Sequence, residues 1–364
     1  MWPARHKLPA VWHRLTKLRT FPNALRAMPA SRLTCLLLTV CVTLLSACGG
    51  EAVKTPPPAT TVVPPPAVTA RPVVIGIALG GGAAKGFAHI GVIKMLEANG
   101  IRPDVVAGTS AGSVVGALYA SGMDVFQMQS KAVALDESTI RDVRLFSGGL
   151  VQGRALQDYV NAQVGKAPIQ KLKKPFVAVA TRLEDGERTM FNRGDTGQAV
   201  RASSSVPGVF EPVEIGKWHY VDGGVVSPVP VDAARQLGAD FVIAVDISSK
   251  ASGKNPGDLL GTLNQSITIM GQRAGQQELA RADVVVRPKV NEIGAADFSQ
   301  RNAAILEGEK AALAVMPQIK ARLAQLQHER AAAAAAAAAP KPAPCVEPTR
   351  LQRLTFRGTP CPAK

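Results

Sequence analysis

The chain has 364 residues, of which 46% are apolar and 19% charged; this allows a sizeable buried core and excludes a wholly disordered or collagen-like protein. Aromatic residues make up only 4%, which argues against a stacking platform for single-stranded nucleic acid. The formal charge of +15 is concentrated at one end: Arg5, Lys7, Arg14, Lys17, Arg19, Arg26 and Arg32 precede residue 47 with no acid among them, and the +8 left over is spread too thinly for a nucleic-acid interface.

After Arg32 an apolar stretch runs from Leu33 to Leu45, the length of a secretory signal core and too short to span a bilayer as a helix. It closes on Leu45-Ser46-Ala47-Cys48, which resembles the bacterial lipoprotein cleavage box. That resemblance implies a signal peptide over 1–47, with Cys48 as the lipidated first residue of the mature chain and an anchor in the cell envelope. Gly49, where an aspartate would imply retention in the inner membrane, implies the outer membrane facing the periplasm. Met28 is an alternative start that would make the signal compact. Residues 49–344 contain no cysteine, as suits an oxidising compartment and as excludes a cysteine nucleophile or thiolate metal site in the core. Cys345 and Cys361, both in the tail, are read either as a disulfide or as two free thiols. From residue 48 to 72 the sequence is a tether, with Pro56-Pro57-Pro58 and Pro64-Pro65-Pro66 favouring extended polyproline-like backbone.

The folded part opens at Val73 with a continuous apolar run to Leu79, the pattern of a strand covered on both faces. A glycine loop follows, then a helix over Phe87–Ala98 stopped by Asn99-Gly100. Asp104–Ala107 predicts a second strand and Ala111–Ala120 a small-residue helix. Further strands are predicted at Phe176–Thr181, Thr189–Asn192, Trp218–Val221, Phe241–Asp246 and Val284–Arg287, with a helix at Val231–Leu237. This alternation implies an α/β protein: a three-layer α/β/α sandwich on a largely parallel sheet. Residues 73–237 are read as the core, 238–317 as its completion, and 318–364 as a helical, Ala/Pro-rich tail, the helical pattern being interrupted at Pro317. Residues 123–172 are a candidate cap.

Three features carry chemistry. Gly108-Thr109-Ser110-Ala111-Gly112 lies between a predicted strand and helix, where a tight turn would hold the serine hydroxyl exposed while small residues at 108 and 112 let the helix close on the strand. Without further features, an idle serine in a Gly-rich turn fits equally. Gly80-Gly81-Gly82-Ala83-Ala84-Lys85-Gly86 occupies a second strand-to-helix turn. It is not a P-loop, because Lys85 precedes Gly86 rather than Ser or Thr; as a dinucleotide fingerprint it puts Lys85 in the place of the third glycine. As an oxyanion hole it fits, with bare amides at Gly81, Gly82 and Ala83 beside a helix N-terminus. Asp222-Gly223-Gly224 ends the Trp218–Val221 strand; an ordinary Asp-Gly turn is the bland alternative. His89 falls inside a helix, and His219 points to the opposite strand face from Asp222, so no histidine is placed to complete a triad. Together the loop, the serine and the aspartate supply donors, nucleophile and base for acyl transfer.

From about Val73 to Leu237 the chain resembles the patatin-like phospholipases. The matching pieces are Gly80–Gly86, His89-Ile90-Gly91-Val92, Gly108–Gly112, Arg201-Ala202-Ser203-Ser204-Ser205-Val206-Pro207 and Asp222-Gly223-Gly224, in that order. Ala83 stands where many members have glycine, and Lys85 where they usually have arginine. The resemblance implies a serine lipid acyl hydrolase using a Ser110–Asp222 dyad, with a phospholipid or other acyl ester as substrate, and neither cofactor nor metal. Two other readings stay open: a broad carboxylesterase or thioesterase, and a non-catalytic lipid-binding envelope lipoprotein.

Overall fold

In the computed structural model the described residues are 70–136, 138, 142, 151–251, 253 and 255–339, all within a compact unit spanning Pro64–Lys364. The signal, Cys48, the tether up to residue 69, and Cys345 and Cys361 lie outside them.

Eight strands form one sheet. β1 (Ile75–Leu79), β2 (Val105–Thr109), β3 (Phe176–Arg182), β7 (Phe241–Val245) and β8 (Val284–Val286) are parallel, in the order β3-β2-β1-β7-β8. β4 (Arg188–Phe191), β5 (Val213–Ile215) and β6 (Trp218–Asp222) are antiparallel additions at the β3 end. The five parallel strands are almost wholly buried, which is why β1 and β2 read as unbroken apolar runs rather than alternating ones.

Alternate residues serve the two faces. Ile77, Leu79, Val106, Ile243 and Val245 point into one layer of helices, which includes α1 (Ala88–Ala98), α2 (Ala111–Ala120) and α8 (Arg301–Ala338). Helices α3 (Val125–Ala134), α4 (Arg154–Gln163) and α5 (Thr196–Ser203) join the same core through Val125, Met128, Leu156, Val160 and Val200. On the other face Ala78, Ala107, Val177, Val179 and Ala244 pack against Val231, Ala233 and Ala234 of α6 (Val231–Gln236) and Leu279 of α7 (Leu259–Leu279). The sheet thus sits between two helical layers, and the α/β/α sandwich expected from the sequence is the fold.

The described helices of the candidate cap, α3 and α4, are anchored in the main core through Val125, Met128, Leu156 and Val160; residues 137, 139–141 and 143–150 of that segment lie outside the described residues. One expectation is corrected here. Helix α8 runs unbroken through Pro317. A proline inside a helix removes one hydrogen bond and crowds the preceding turn. Burial of Met316, Ile319 and Leu323 on either side of it holds the helix to the body. Where α8 crosses α1 the approach is close enough to require two glycines. A Cβ on Gly91 would lie 2.0 Å from the Ile305 carbonyl oxygen, and one on Gly308 would lie 2.0 Å from that of Ala88.

Candidate active site

The register of β3 places the site. One edge of β3 pairs with β4 from Ala178 to Thr181. The other edge is shared by two strands running toward each other: β2 pairs up to Thr109↔Val179, and antiparallel β6 takes over at Asp222↔Ala180. Consecutive residues of β3 therefore bring the last residue of β2 next to the last of β6. Asp222, expected at the end of the Trp218–Val221 strand, is the last residue of β6 and lies where the parallel strands finish. It reaches that place because β6 runs the opposite way and stops head-on against β2.

At this junction the chain turns into α2 through Ser110, whose φ of 54° and ψ of −125° are unusual for a residue with a side chain. Such a backbone costs about 1–3 kcal/mol and persists only where the surroundings hold it. Here Ser110 N–H donates to Ser203 Oγ at 2.9 Å, Ser203 Oγ donates to the Val179 carbonyl at 2.6 Å, and Ser113 Oγ donates to the Ser110 carbonyl at 2.7 Å. Gly108 and Gly112 are demanded by contact: a Cβ on Gly108 would meet the Gly112 carbonyl oxygen at 2.4 Å, and one on Gly112 the Leu79 carbonyl oxygen at 2.1 Å. Gly86 is similarly pressed against Ala111, and Gly223 against the Val179 carbonyl oxygen.

The Ser110 hydroxyl donates to Asp222 Oδ2 at 2.5 Å, and both residues are buried. The second oxygen, Oδ1, accepts the Gly224 amide at 2.6 Å. Burial pushes the Asp222 carboxyl up to about 6, against the opposing pull of those two hydrogen bonds. The backbone of Asp222 is fixed as well: its amide donates to the Ser205 carbonyl at 2.9 Å, and its carbonyl accepts Thr181 Oγ1 at 2.9 Å. The Arg201–Pro207 block therefore supports both Ser110 and Asp222.

The glycine loop abuts the serine, the Cβ position of Gly81 lying 3.2 Å from Ser110 Cβ. Its amides are not equivalent. Those of Gly80 and Gly81 donate to the Val245 and Pro228 carbonyls, each at 3.0 Å, which removes Gly81 from the expected donors. Gly82 and Ala83 amides have no partner among the described residues, and they open the 3₁₀ turn Ala83–Phe87. Ala83 has φ 51°, a conformation in which glycine is more at ease. Lys85 is buried with Nζ donating to Ser249 Oγ at 2.9 Å, and burial lowers its pKa.

Neither histidine reaches the pair. His89 is buried in α1, Nε2 bonded to the Gly80 carbonyl at 2.8 Å, and desolvation lowers its pKa to about 4, so it is neutral. His219 is half exposed and pairs through Nδ1 with Glu184 at 2.9 Å. The expected outcome of His219→Ala is esterase turnover within about twofold of the parent, since it touches no reacting atom; a loss of a hundredfold in kcat would place a histidine back in the mechanism.

One supporting group carried no sequence signal. Glu278 of α7 accepts Ser227 Oγ at 2.8 Å, and the Ser227 carbonyl accepts Thr109 Oγ1 at 2.8 Å, linking α7 to the residue before Ser110. Burial raises the Glu278 carboxyl to about 7 despite Arg188 at 3.2 Å. Among the described residues no group of three or more His, Cys, Asp or Glu is placed to hold a metal ion.

A mixed α/β sandwich with a serine on a strained strand-to-helix turn, bonded to a buried aspartate beside a glycine loop, defines the class of protein. Residues 77–235 match the family model of patatin-like phospholipases, and this domain belongs to that family. An uncharacterized NTE family protein of Mycobacterium tuberculosis is 37% identical over 183 residues, covering 49% of this chain and 50% of its own. The lysophospholipase NTE1 of Pyricularia oryzae is 34% identical over 181 residues, covering 48% of this chain and 12% of its own. The chain thus spans half or less of the length of these curated relatives. Among solved structures VipD from Legionella pneumophila aligns with a TM-score of 0.49 and 14% identity, covering 68% of each chain.

Proposed function

We propose that the protein is a serine lipid acyl hydrolase of the phospholipase A or lysophospholipase kind, working through a Ser110–Asp222 dyad. The observation that carries the reading is the 2.5 Å hydrogen bond from Ser110 Oγ to a buried carboxylate, beside two amides that have no partner among the described residues. Ser110 Oγ attacks the ester carbonyl as its proton passes to Asp222 Oδ2. The tetrahedral oxyanion is met by the amides of Gly82 and Ala83. Protonated Asp222 returns the proton to the departing alkoxide, leaving an acyl-serine. Water, deprotonated by Asp222, then releases the fatty acid and restores Ser110. An unperturbed aspartate is a poor base for a hydroxyl; burial brings Asp222 nearer the operating pH, where general-base help is worth about 10²–10⁴ in rate. Two features support a lipid substrate: the family of residues 77–235, and the name lysophospholipase carried by the Pyricularia relative.

The test is fatty-acid release from mixed phospholipid vesicles by the parent and by Ser110→Ala. Release by the parent alone supports the proposal; cleavage of short soluble esters without vesicle release favours a broad esterase; binding with no turnover on either favours a lipid-binding protein. A pH profile adds an independent check. Because the base acts ionised and its pKa is raised to about 6, kcat/KM is expected to fall tenfold per pH unit below about 6. A limb near 4 would show that the aspartate acts unshifted.

We further propose that Cys48 is lipidated and holds the domain to the bacterial envelope, at the outer membrane facing the periplasm, on the strength of Leu45-Ser46-Ala47-Cys48. Labelled fatty acid incorporated by the parent and not by Cys48→Ser is the expected result; equal labelling of both would refute it.

A further inference from the structure

Among the described residues, helix α7 is buried only toward its C-terminal end. In its C-terminal half Gly275 and Glu278 are buried, and Gly275 lies against Pro228. Gly271, one turn earlier, faces the carbonyl oxygen of Gly224, two residues past Asp222; a Cβ there would come within 3.2 Å of it. Beside it Gln272 Nε2 donates to the Ser249 carbonyl at 3.2 Å, and the Ser249 hydroxyl holds Lys85 of the glycine loop. α7 therefore rests on both loops that flank Ser110.

The preceding half is different. Between Gly261 and Ala274 no described side chain is buried. Leu263, Ile269 and Met270 are 44%, 45% and 57% exposed. Leu263, Ile267 and Met270 recur at i, i+4 and i+7, so they form one stripe, and Ile269 projects about 100° round the helix from Met270. From Leu259 to Gln277 the only charged residue is Arg273, and it is exposed, as is Lys250 before the helix. The nearest acid, Asp258, is engaged as the helix cap, accepting the Gly261 amide at 2.5 Å. Three turns of helix thus present large apolar side chains without an acid, leading into the turn that packs against Gly224.

We propose that the N-terminal half of α7 is the surface by which the protein docks on a phospholipid bilayer, its apolar stripe entering the membrane interface beside Ser110. The inference rests on the hydrolase reading above and adds where the substrate surface is gripped. The scissile ester of a phospholipid lies just beneath the phosphate plane, so the elements flanking Ser110 must meet acyl chains for the ester to arrive. An acid-free apolar stripe with Lys250 and Arg273 toward its C-terminal end complements both the acyl region and the anionic phosphates above it. Among the described residues no helix is long and apolar enough to cross a membrane, so α7 lies on the bilayer and does not span it.

Hydrogen exchange of the full chain, read peptide by peptide, tests this without interference from a lipid anchor elsewhere. On phosphatidylcholine–phosphatidylglycerol vesicles the amides of 261–270 are expected to exchange about tenfold more slowly, while those of 310–330 in α8 do not change. The double substitution Ile269→Ser, Met270→Ser is expected to lower vesicle hydrolysis more than about tenfold relative to hydrolysis of a short soluble ester. Unchanged exchange of 261–270 in vesicle-bound protein would overturn the proposal. Protection without vesicles that grows with protein concentration would also overturn it, in favour of a second copy as the occupant. If the parent cleaves neither substrate, the hydrolase reading fails while the exchange result still decides the docking.

Discussion

Asp222→Asn is expected to lower kcat on any ester by about 10³–10⁴, with a folded protein and little change in KM. The asparagine keeps the size and one carbonyl oxygen but cannot take the Ser110 proton, and no histidine among the described residues is close enough to substitute. Ser110→Ala is expected to cost at least as much, and the double variant little more, because the two groups act as one unit. The same substitution carries a stability signature of opposite sign. Folding raises the Asp222 pKa from 3.8 to about 6, so the ionised form opposes folding. That penalty is absent below about pH 4, grows as pH rises through the folded value, and reaches about 3 kcal/mol above it. At pH 8 the inactive Asp222→Asn protein is therefore expected to melt no lower than the parent, and higher if Asn satisfies the Gly224 amide; at pH 4 the advantage disappears. A variant that is both inactive and less stable at pH 8 would mean that the carboxylate is a structural anion rather than a buried base.

Gly91→Ala is expected to destabilise the protein by about 3 kcal/mol, and Gly308→Ala by a similar amount. Helix propensity alone predicts the reverse, since alanine in a helix interior is worth about 1 kcal/mol over glycine. The contacts decide the sign. Each added methyl would lie 2.0 Å from a backbone carbonyl oxygen of the facing helix, and backbone cannot rotate away as a side chain tip can. Relief requires α8 to lift from α1, which would open the buried contacts of Ile305, Ala312 and Ile319 together. Chemical denaturation of the two variants against the parent reads this directly; a gain in stability would show that the crossing is looser than the two glycines imply.

The parallel strands were legible because burial on both faces writes an apolar run, as from Ile75 to Leu79. Short edge elements were not: β5 (Val213–Ile215) is a three-residue strand carrying Glu214, and nothing in its composition separates it from a loop. Pro317 misled for a related reason, since local propensity signals a break while the buried residues around it hold the helix together. At the site, Ser110 and Asp222 could be singled out because the glycines flanking Ser110 and the pair following Asp222 leave a trace in the sequence. Which loop amides are free could not be read so. Gly81 and Gly82 look alike in sequence, and only the Pro228 carbonyl, more than a hundred residues away, distinguishes them. Glu278 was invisible for the same reason: its environment is made by Ser227 and Arg188, both distant in sequence.

The head-on meeting of β2 and β6 along β3 has a consequence for how such a chain can vary. Ser110 and Asp222 are separated by 112 positions, yet their spacing depends on two neighbouring rungs, Val179 and Ala180. Length between them is free to change wherever it loops out, for instance at Glu184–Gly186 in the hairpin joining β3 to β4, without disturbing the pair. A single residue deleted within Trp218–Val221 is another matter, because side chains alternate along a strand and the shift would turn the carboxylate to the opposite face of the sheet. The domain is thus tolerant of insertions and intolerant of slippage. Evolution can enlarge its loops almost at will, but it must preserve the count of residues along three short strands.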